Sequence, residues 1–118
     1  MPYHMMKPSA HELMKHGRKD YADVERYCAD PKAFLAFLDT LGVERAGLIN
    51  YVAPKIIGFT PEVNDWSAKY CGAAPDRLIA FGGVLPGTVP DPGAEVDRLA
   101  KLGIRAIKMH PSDRKSVV

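Results

Sequence analysis

The run Gly103-Ile-Arg-Ala-Ile-Lys-Met-His-Pro111 closes an apolar stretch on an ammonium and an imidazole. In an extended chain Lys108 and His110 alternate with Ile107 and Met109, so both point to one face. Groups of this kind at the carboxyl end of a strand mark a candidate active-site rim. The lysine can hold a substrate carboxylate, and the histidine can donate to a developing oxyanion or shuttle a proton near neutral pH. The plainer alternative is that both cap a sheet edge in solvent. An earlier phrase of the same grammar, Leu38-Asp-Thr-Leu-Gly-Val-Glu-Arg-Ala-Gly-Leu-Ile-Asn-Tyr51, ends on Asn50 and Tyr51. That amide and phenol can contact a substrate at the same rim, or tie the strand end to its loop.

The remaining chemistry-bearing residues carry less. His11 and His16 are five apart, which separates them by about 140° on a helix, so with His4 they read as solvated histidines. Asp20, Asp23 and Glu25 are interleaved with Arg18, Lys19 and Arg26, the pattern of a solvated mixed-charge face. Gly82, Gly83 and Gly87 lack the spacing of a phosphate-cradling loop and read as tight packing and a turn. Met5 and Met6, with Tyr3 and Pro8, can line an apolar substrate pocket, although core filling is the simpler account. Cys28 and Cys71 have neither zinc-knuckle spacing nor the density of a disulfide scaffold, and read as buried reduced thiols.

The elements that would position these residues follow from local signals. A short helix is expected from Ser9, as N-cap, to Lys15, and another helical turn over 21–28, where Tyr21, Val24 and Cys28 share a face. Asp30-Pro31 starts a helix whose stripe is Phe34, Phe37, Leu38 and Leu41, with Gly42 as its stop. Residues 45–50 follow as a strand whose apolar run suits burial on both faces. The loop 51–60 is longer than the usual strand-to-helix link and is therefore a functional candidate. Thr60-Pro61 opens a helix burying Val63, Trp66, Tyr70 and Cys71; 78–84 is a second strand; Asp91-Pro92 opens a helix with Val96, Leu99 and Ala100 inward; 104–109 is a third strand. Strands separated by helices at this period form parallel βα units, in an open doubly wound sheet or an arc of an eightfold barrel.

The 118 residues suit one domain, and 47% apolar composition places the chain among globular proteins and away from disorder. A net charge of +2 with interspersed signs leaves no basic stripe for nucleic acid. With no membrane span and no charged-then-apolar leader pattern, a cytoplasmic location is the default expectation.

The phrases Arg77-Leu-Ile-Ala-Phe-Gly-Gly-Val, preceded by Ala74-Pro75-Asp76, and 103–111 resemble the amidohydrolase-related (amidohydrolase 2) branch of the metal-dependent amidohydrolase superfamily. The helix phrase Phe34-Leu-Ala-Phe-Leu-Asp-Thr-Leu-Gly-Val-Glu-Arg-Ala and the Val63-Asn64-Asp65-Trp66 helix are similar to the same family, so the resemblance spans about 30–111. It implies a partial (β/α)8 TIM barrel, about three of eight strands, from hydrolases, lactonases or decarboxylases acting on small carboxylated compounds. It also implies a divalent metal, zinc foremost, in the complete enzyme. The family opens on a strand ending in His-x-His, which this chain does not contain, so no catalytic metal is expected in this chain alone. The expected organisation is one partial domain: a lead-in over 1–29, successive α–β units over 30–111, and a polar tail over 112–118. Three parallel strands cannot close on themselves. Leu48, Ile79, Phe81 and Ile107 are then expected to meet solvent or another chain, favouring self-association. The alternative is a self-contained small α/β binding module, in which the amino-terminal segment covers the sheet or adds an edge strand.

Overall fold

Two aspartates set the frame. Asp30 and Asp91 each stand before a proline; the Asp30 carboxylate accepts from the Lys32 amide at 3.0 Å and that of Asp91 from the Ala94 amide at 3.2 Å. Each satisfies an amide that the first helical turn leaves without a partner, while the proline has no amide to satisfy there. The computed structural model describes residues 1–109. A 3₁₀ turn at Tyr3–Met5 leads into α1 (Pro8–Gly17) and α2 (Tyr21–Ala29); α3 (Pro31–Thr40), β1 (Ala46–Ile49), α4 (Glu62–Cys71), β2 (Leu78–Gly83), α5 (Pro92–Lys101) and β3 (Ala106–Lys108) follow. Gly42 (φ +70°) and Gly103 (φ +92°) turn the chain out of α3 and α5 in the left-handed region that a Cβ disfavours.

The three strands are parallel and lie in the order β1-β2-β3, with Ala46 opposite Leu78, Ile49 opposite Phe81, and Phe81 in turn opposite Ala106. One sheet face is packed. Leu78 and Ala80 join Leu38 of α3, Tyr70 and Cys71 of α4, Leu99 of α5 and Ile104 in one apolar cluster. Burying a side chain the size of Leu99, which is 0% exposed, contributes about 1.5–3 kcal/mol. A guanidinium links the outer layer: Arg98 on α5 bonds Asp65 of α4 at 2.6 Å and Glu95 of its own helix at 2.6 Å. Residues 1–29 pack elsewhere. Tyr3 and Met6 bury against Val52, Phe59 and Val63, with Met5, Tyr21, Val24 and Cys28 around them, and the Tyr70 hydroxyl donates to the Tyr27 carbonyl across the two clusters.

Several expectations change. The first helix starts at Pro8, with Lys7 at the cap position and no capping side chain, because proline suits the first turn better than Ser9 suits the cap. The strand 45–50 is covered on one face only: Ile49 is 50% exposed. Leu48 and Ile107 do not share a face with Ile79 and Phe81. The register sets them opposite Ala80 and Gly82, on the helix side. Gly47, Ile49, Ile79, Phe81, Gly83, Ala106 and Lys108 alternate onto the other face, which no helix covers among the described residues and which is bare in that sense; a Cβ at Gly47 would meet the Phe81 ring there at 3.1 Å. On α5 only Leu99 is buried, whereas Val96 and Ala100 are exposed, because one helix over three short strands has a narrow contact stripe. Cys71 is buried and Cys28 half-buried, both as free thiols. Among the described residues no helix is long and apolar enough to cross a membrane. The polar tail 112–118 lies outside the described residues.

Asp30→Ala and Asp91→Ala should each lower stability by about 1 kcal/mol, read as a shifted urea midpoint at constant slope, while Ser9→Ala should leave it unchanged. Burial pushes the Cys71 thiol from its ordinary 9.0 up to about 11. The folded chain therefore holds that proton more tightly than the unfolded one: stability is complete below pH 9.0 and falls as pH rises through about 11. Alkaline titration of the unfolding free energy should show this loss, and Cys71→Ala should flatten it.

Candidate functional site

The carboxyl ends of β1 and β2 are fixed by a buried polar contact. Asn64 and Ser67 lie three residues apart on one side of α4, and both are 0% exposed. The Asn64 amide nitrogen donates to the Gly83 carbonyl at 2.8 Å, and its carbonyl accepts from the Gly83 amide at 2.8 Å. A side-chain amide thus does for the last residue of β2 what a paired strand would do. Beside it Asn50, at the end of β1, donates from its amide to Ser67 Oγ at 3.1 Å. At Gly83 there is no room for a side chain: a Cβ would meet the Val52 nitrogen at 2.8 Å and Tyr51 Cα at 3.1 Å. This approach brings the two strand-end loops side by side.

The β1–α4 loop has internal order. The Ala53 carbonyl accepts from the Ile57 and Gly58 amides at 3.0 and 3.1 Å, and the Ala53 amide donates to the Phe59 carbonyl at 3.0 Å. Lys7 pins the loop from outside, its backbone amide donating to Ile57 at 3.0 Å and its ammonium to the Lys55 carbonyl at 2.6 Å. Gly58 (φ +94°) permits that contact, since a Cβ there would lie 2.2 Å from the Lys7 nitrogen.

Between this loop and the turn after β2 opens a cleft of about 600 Å³, walled by residues 53–56 and 85–88. Its surface is mostly apolar, from Pro54, Ile56, Leu85 and Pro86, with Lys55 and Thr88 as its polar residues. The Thr88 hydroxyl donates to the Leu85 carbonyl at 2.6 Å, which stiffens the turn. This arrangement suits a small ligand with an apolar body and an anionic end. No nucleophile–base pair stands among the residues of its wall.

The residues singled out in the sequence do not meet in this cleft. Lys108 is exposed on the bare sheet face, opposite Gly83 in register, and His110 lies outside the described residues. Asn50 is buried with its amide on Ser67, and Tyr51 is half-buried where its backbone runs against Gly83. The loop 51–60, noted for its length, forms one wall. Its partner is 85–88, where the sequence signals only a turn at Gly87. Asn64 stands in the sequence only within the helix phrase 63–66; nothing there marks its contact with Gly83, because an asparagine inside a helical pattern has no distinctive spacing. His11 departs from the solvated reading: it stacks on Tyr3 with centroids 5.4 Å apart and bonds the Tyr21 hydroxyl, whereas His16 is exposed beside Glu12. Asp20 and Asp23 do lie on a solvated face, paired with Arg18 and Arg26.

Among the described residues no three His, Cys, Asp or Glu side chains gather closely enough to hold a metal ion.

Asn64→Ala strands two buried backbone groups of Gly83 and should cost about 2–4 kcal/mol. Asn64→Leu should recover little of it despite the added apolar surface. A urea midpoint within error of the parent for either variant would contradict this. Set against protein-family models, curated proteins and solved structures, the chain matches none.

Proposed function

We propose that this chain is an arc of an amidohydrolase-like (β/α)8 barrel, about three of its eight strands, and that it supplies part of the substrate rim of a metal-dependent hydrolase or decarboxylase acting on small carboxylated compounds. One observation carries the reading. Three consecutive strands run parallel in chain order, and α3, α4 and α5 all contribute to one core against a single sheet face. A doubly wound sheet has helices on both faces, whereas a barrel has all of them outside. On this reading the bare face is the lumen side, and the cleft lies at the strands' carboxyl ends, where barrel enzymes bind their ligands.

The roles of the chain's own residues follow. Apolar walls at Pro54, Ile56 and Leu85 take the substrate's body. The Lys55 ammonium holds its carboxylate at the cleft, and Lys108 faces the lumen as a second cation for an anionic group. His110, two positions after Lys108 in the sequence, is the candidate proton donor. The metal of such an enzyme would activate water or polarise the substrate. On this reading its ligand set comes from the rest of the barrel, and the isolated chain binds substrate without turning it over. The bare sheet face is the surface through which that isolated chain associates with a second copy.

A self-contained binding module requires residues 1–29 to cover the sheet or extend its edge. They instead pack on the β1–α4 loop, which favours the arc.

Benzoate titrated into the labelled protein should shift amide resonances of 53–56 and 85–88. Lys55→Ala should weaken binding about two- to fivefold, the worth of one exposed ion pair. With zinc added, the isolated chain should neither take up stoichiometric metal nor hydrolyse carboxylic esters or lactones. Turnover with bound zinc, or no response at the cleft, would refute the proposal.

A further inference from the structure

Burial does little to hold the near wall of the strand-end cleft. Lys55 and Ile56 stand exposed at the tip of the β1–α4 loop, Ile56 to 57%, and Pro54 beside them has no amide to donate. Hydrogen bonds supply the order instead. The Ala53 carbonyl accepts from the Ile56 amide at 3.2 Å as well as from those of Ile57 and Gly58. A solvent-exposed turn closed only by its own backbone opens at small cost, because each such bond adds little net stability in water.

Lys7 adds two contacts from a distant part of the chain. Its amide, donating to the Ile57 carbonyl at 3.0 Å, belongs to the backbone and survives every substitution but proline. Its ammonium, 2.6 Å from the Lys55 carbonyl oxygen, depends on the side chain. A carbonyl that accepts from an ammonium is held more firmly than one that accepts from an amide, and this carbonyl belongs to the cationic residue of the cleft wall. Lys7 is itself well anchored. Tyr3 and Met6 before it are buried with Val52, Phe59 and Val63, and Pro8 after it begins α1. Ile57 of the near loop and Leu85 of the opposite wall pack on that same cluster. The segment 3–7 therefore touches the footing of both walls, and Lys7 reaches the rim of one.

We propose that Lys7 is a positioning residue for the cleft: through the Lys55 carbonyl its ammonium holds residues 53–56 in the shape that takes a ligand. Lys7 does not line the cleft, so it acts through Lys55. The inference rests on the reading of the cleft as a site for small carboxylates and is independent of the barrel. A wall ordered beforehand need not be ordered at the ligand's expense, so loss of the ammonium shows as weaker binding. By linkage, a ligand in the cleft also holds Lys7 in place.

Benzoate titrations read at the amide resonances of 53–56 and 85–88 test this in four proteins: the parent, Lys7→Met, Lys7→Arg and Lys15→Met. Lys7→Met keeps the aliphatic stem and the backbone amide, and should weaken binding about three- to tenfold with little change in the thermal midpoint. Lys7→Arg restores a cationic donor and should recover most of that loss. Lys15→Met removes the same charge from an exposed position on α1 and should bind as the parent does. Salt screens a distant charge more than a direct contact, so the ratio of Lys7→Met to parent should persist at about 0.5 M sodium chloride. In the unaltered protein, saturating benzoate should slow hydrogen exchange at the Lys7 amide, a readout independent of any variant's folding. Equal affinity in Lys7→Met, a ratio that falls to one in salt, or unchanged exchange at Lys7 would overturn this inference and leave the cleft reading standing. No response to benzoate in the parent would overturn both.

Discussion

The side-chain amide of Asn64 on the backbone of Gly83 is the contact on which the arrangement of the strand ends depends. β2 runs past the last residue that β1 pairs with, so the polar groups of Gly83 need a partner on the side where the neighbouring strand has already turned away. An orphaned buried amide or carbonyl costs about 1–3 kcal/mol, which is a large share of the stability of a chain this size. Asn64 meets both needs from α4 and thereby fixes the helix against the end of the strand. Ser67, one turn on, receives Asn50 in the same way. Two residues of one helix therefore hold two strand ends at a common level, and the loops that leave those ends form the cleft.

Glycine is the complement of that contact. With no side chain at Gly83, the backbone after β1 approaches β2 closely enough for residues 53–56 to face 85–88. At Gly82 a Cβ would press on Leu99 and Ile104, each at 3.1 Å, so the glycine pair serves both layers, admitting α5 on one side and the loop on the other. The stretch Phe81-Gly82-Gly83 is thus selected by packing, and its position beside the cleft ties stability to the geometry of the binding surface.

How much of this was legible in the sequence depends on how far each signal reaches. Asp30 and Asp91 announce helices through bonds that span two and three residues, and Gly42 and Gly103 announce stops through a single backbone angle. Parallel strands between helices followed from those boundaries. Contacts between distant segments left no comparable trace. Asn64 finds Gly83 nineteen residues away, the cleft joins loops some thirty residues apart, and His11 reaches Tyr21 across the break between α1 and α2. The face assignment of Leu48 and Ile107 failed for a related reason. Alternation tells which residues of one strand share a side, but only the register between strands tells which side that is.

Among the described residues the parallel sheet has helices on one face, and on the other Ile49 is 50% exposed and Phe81 partly so; the proposed barrel arc requires a further layer over them. Sedimentation equilibrium of the isolated chain over a wide concentration range tests it most directly. The account predicts concentration-dependent association that weakens when Ile49 is replaced by lysine. A monodisperse monomer at every concentration, with one sharp cooperative melt, would contradict it.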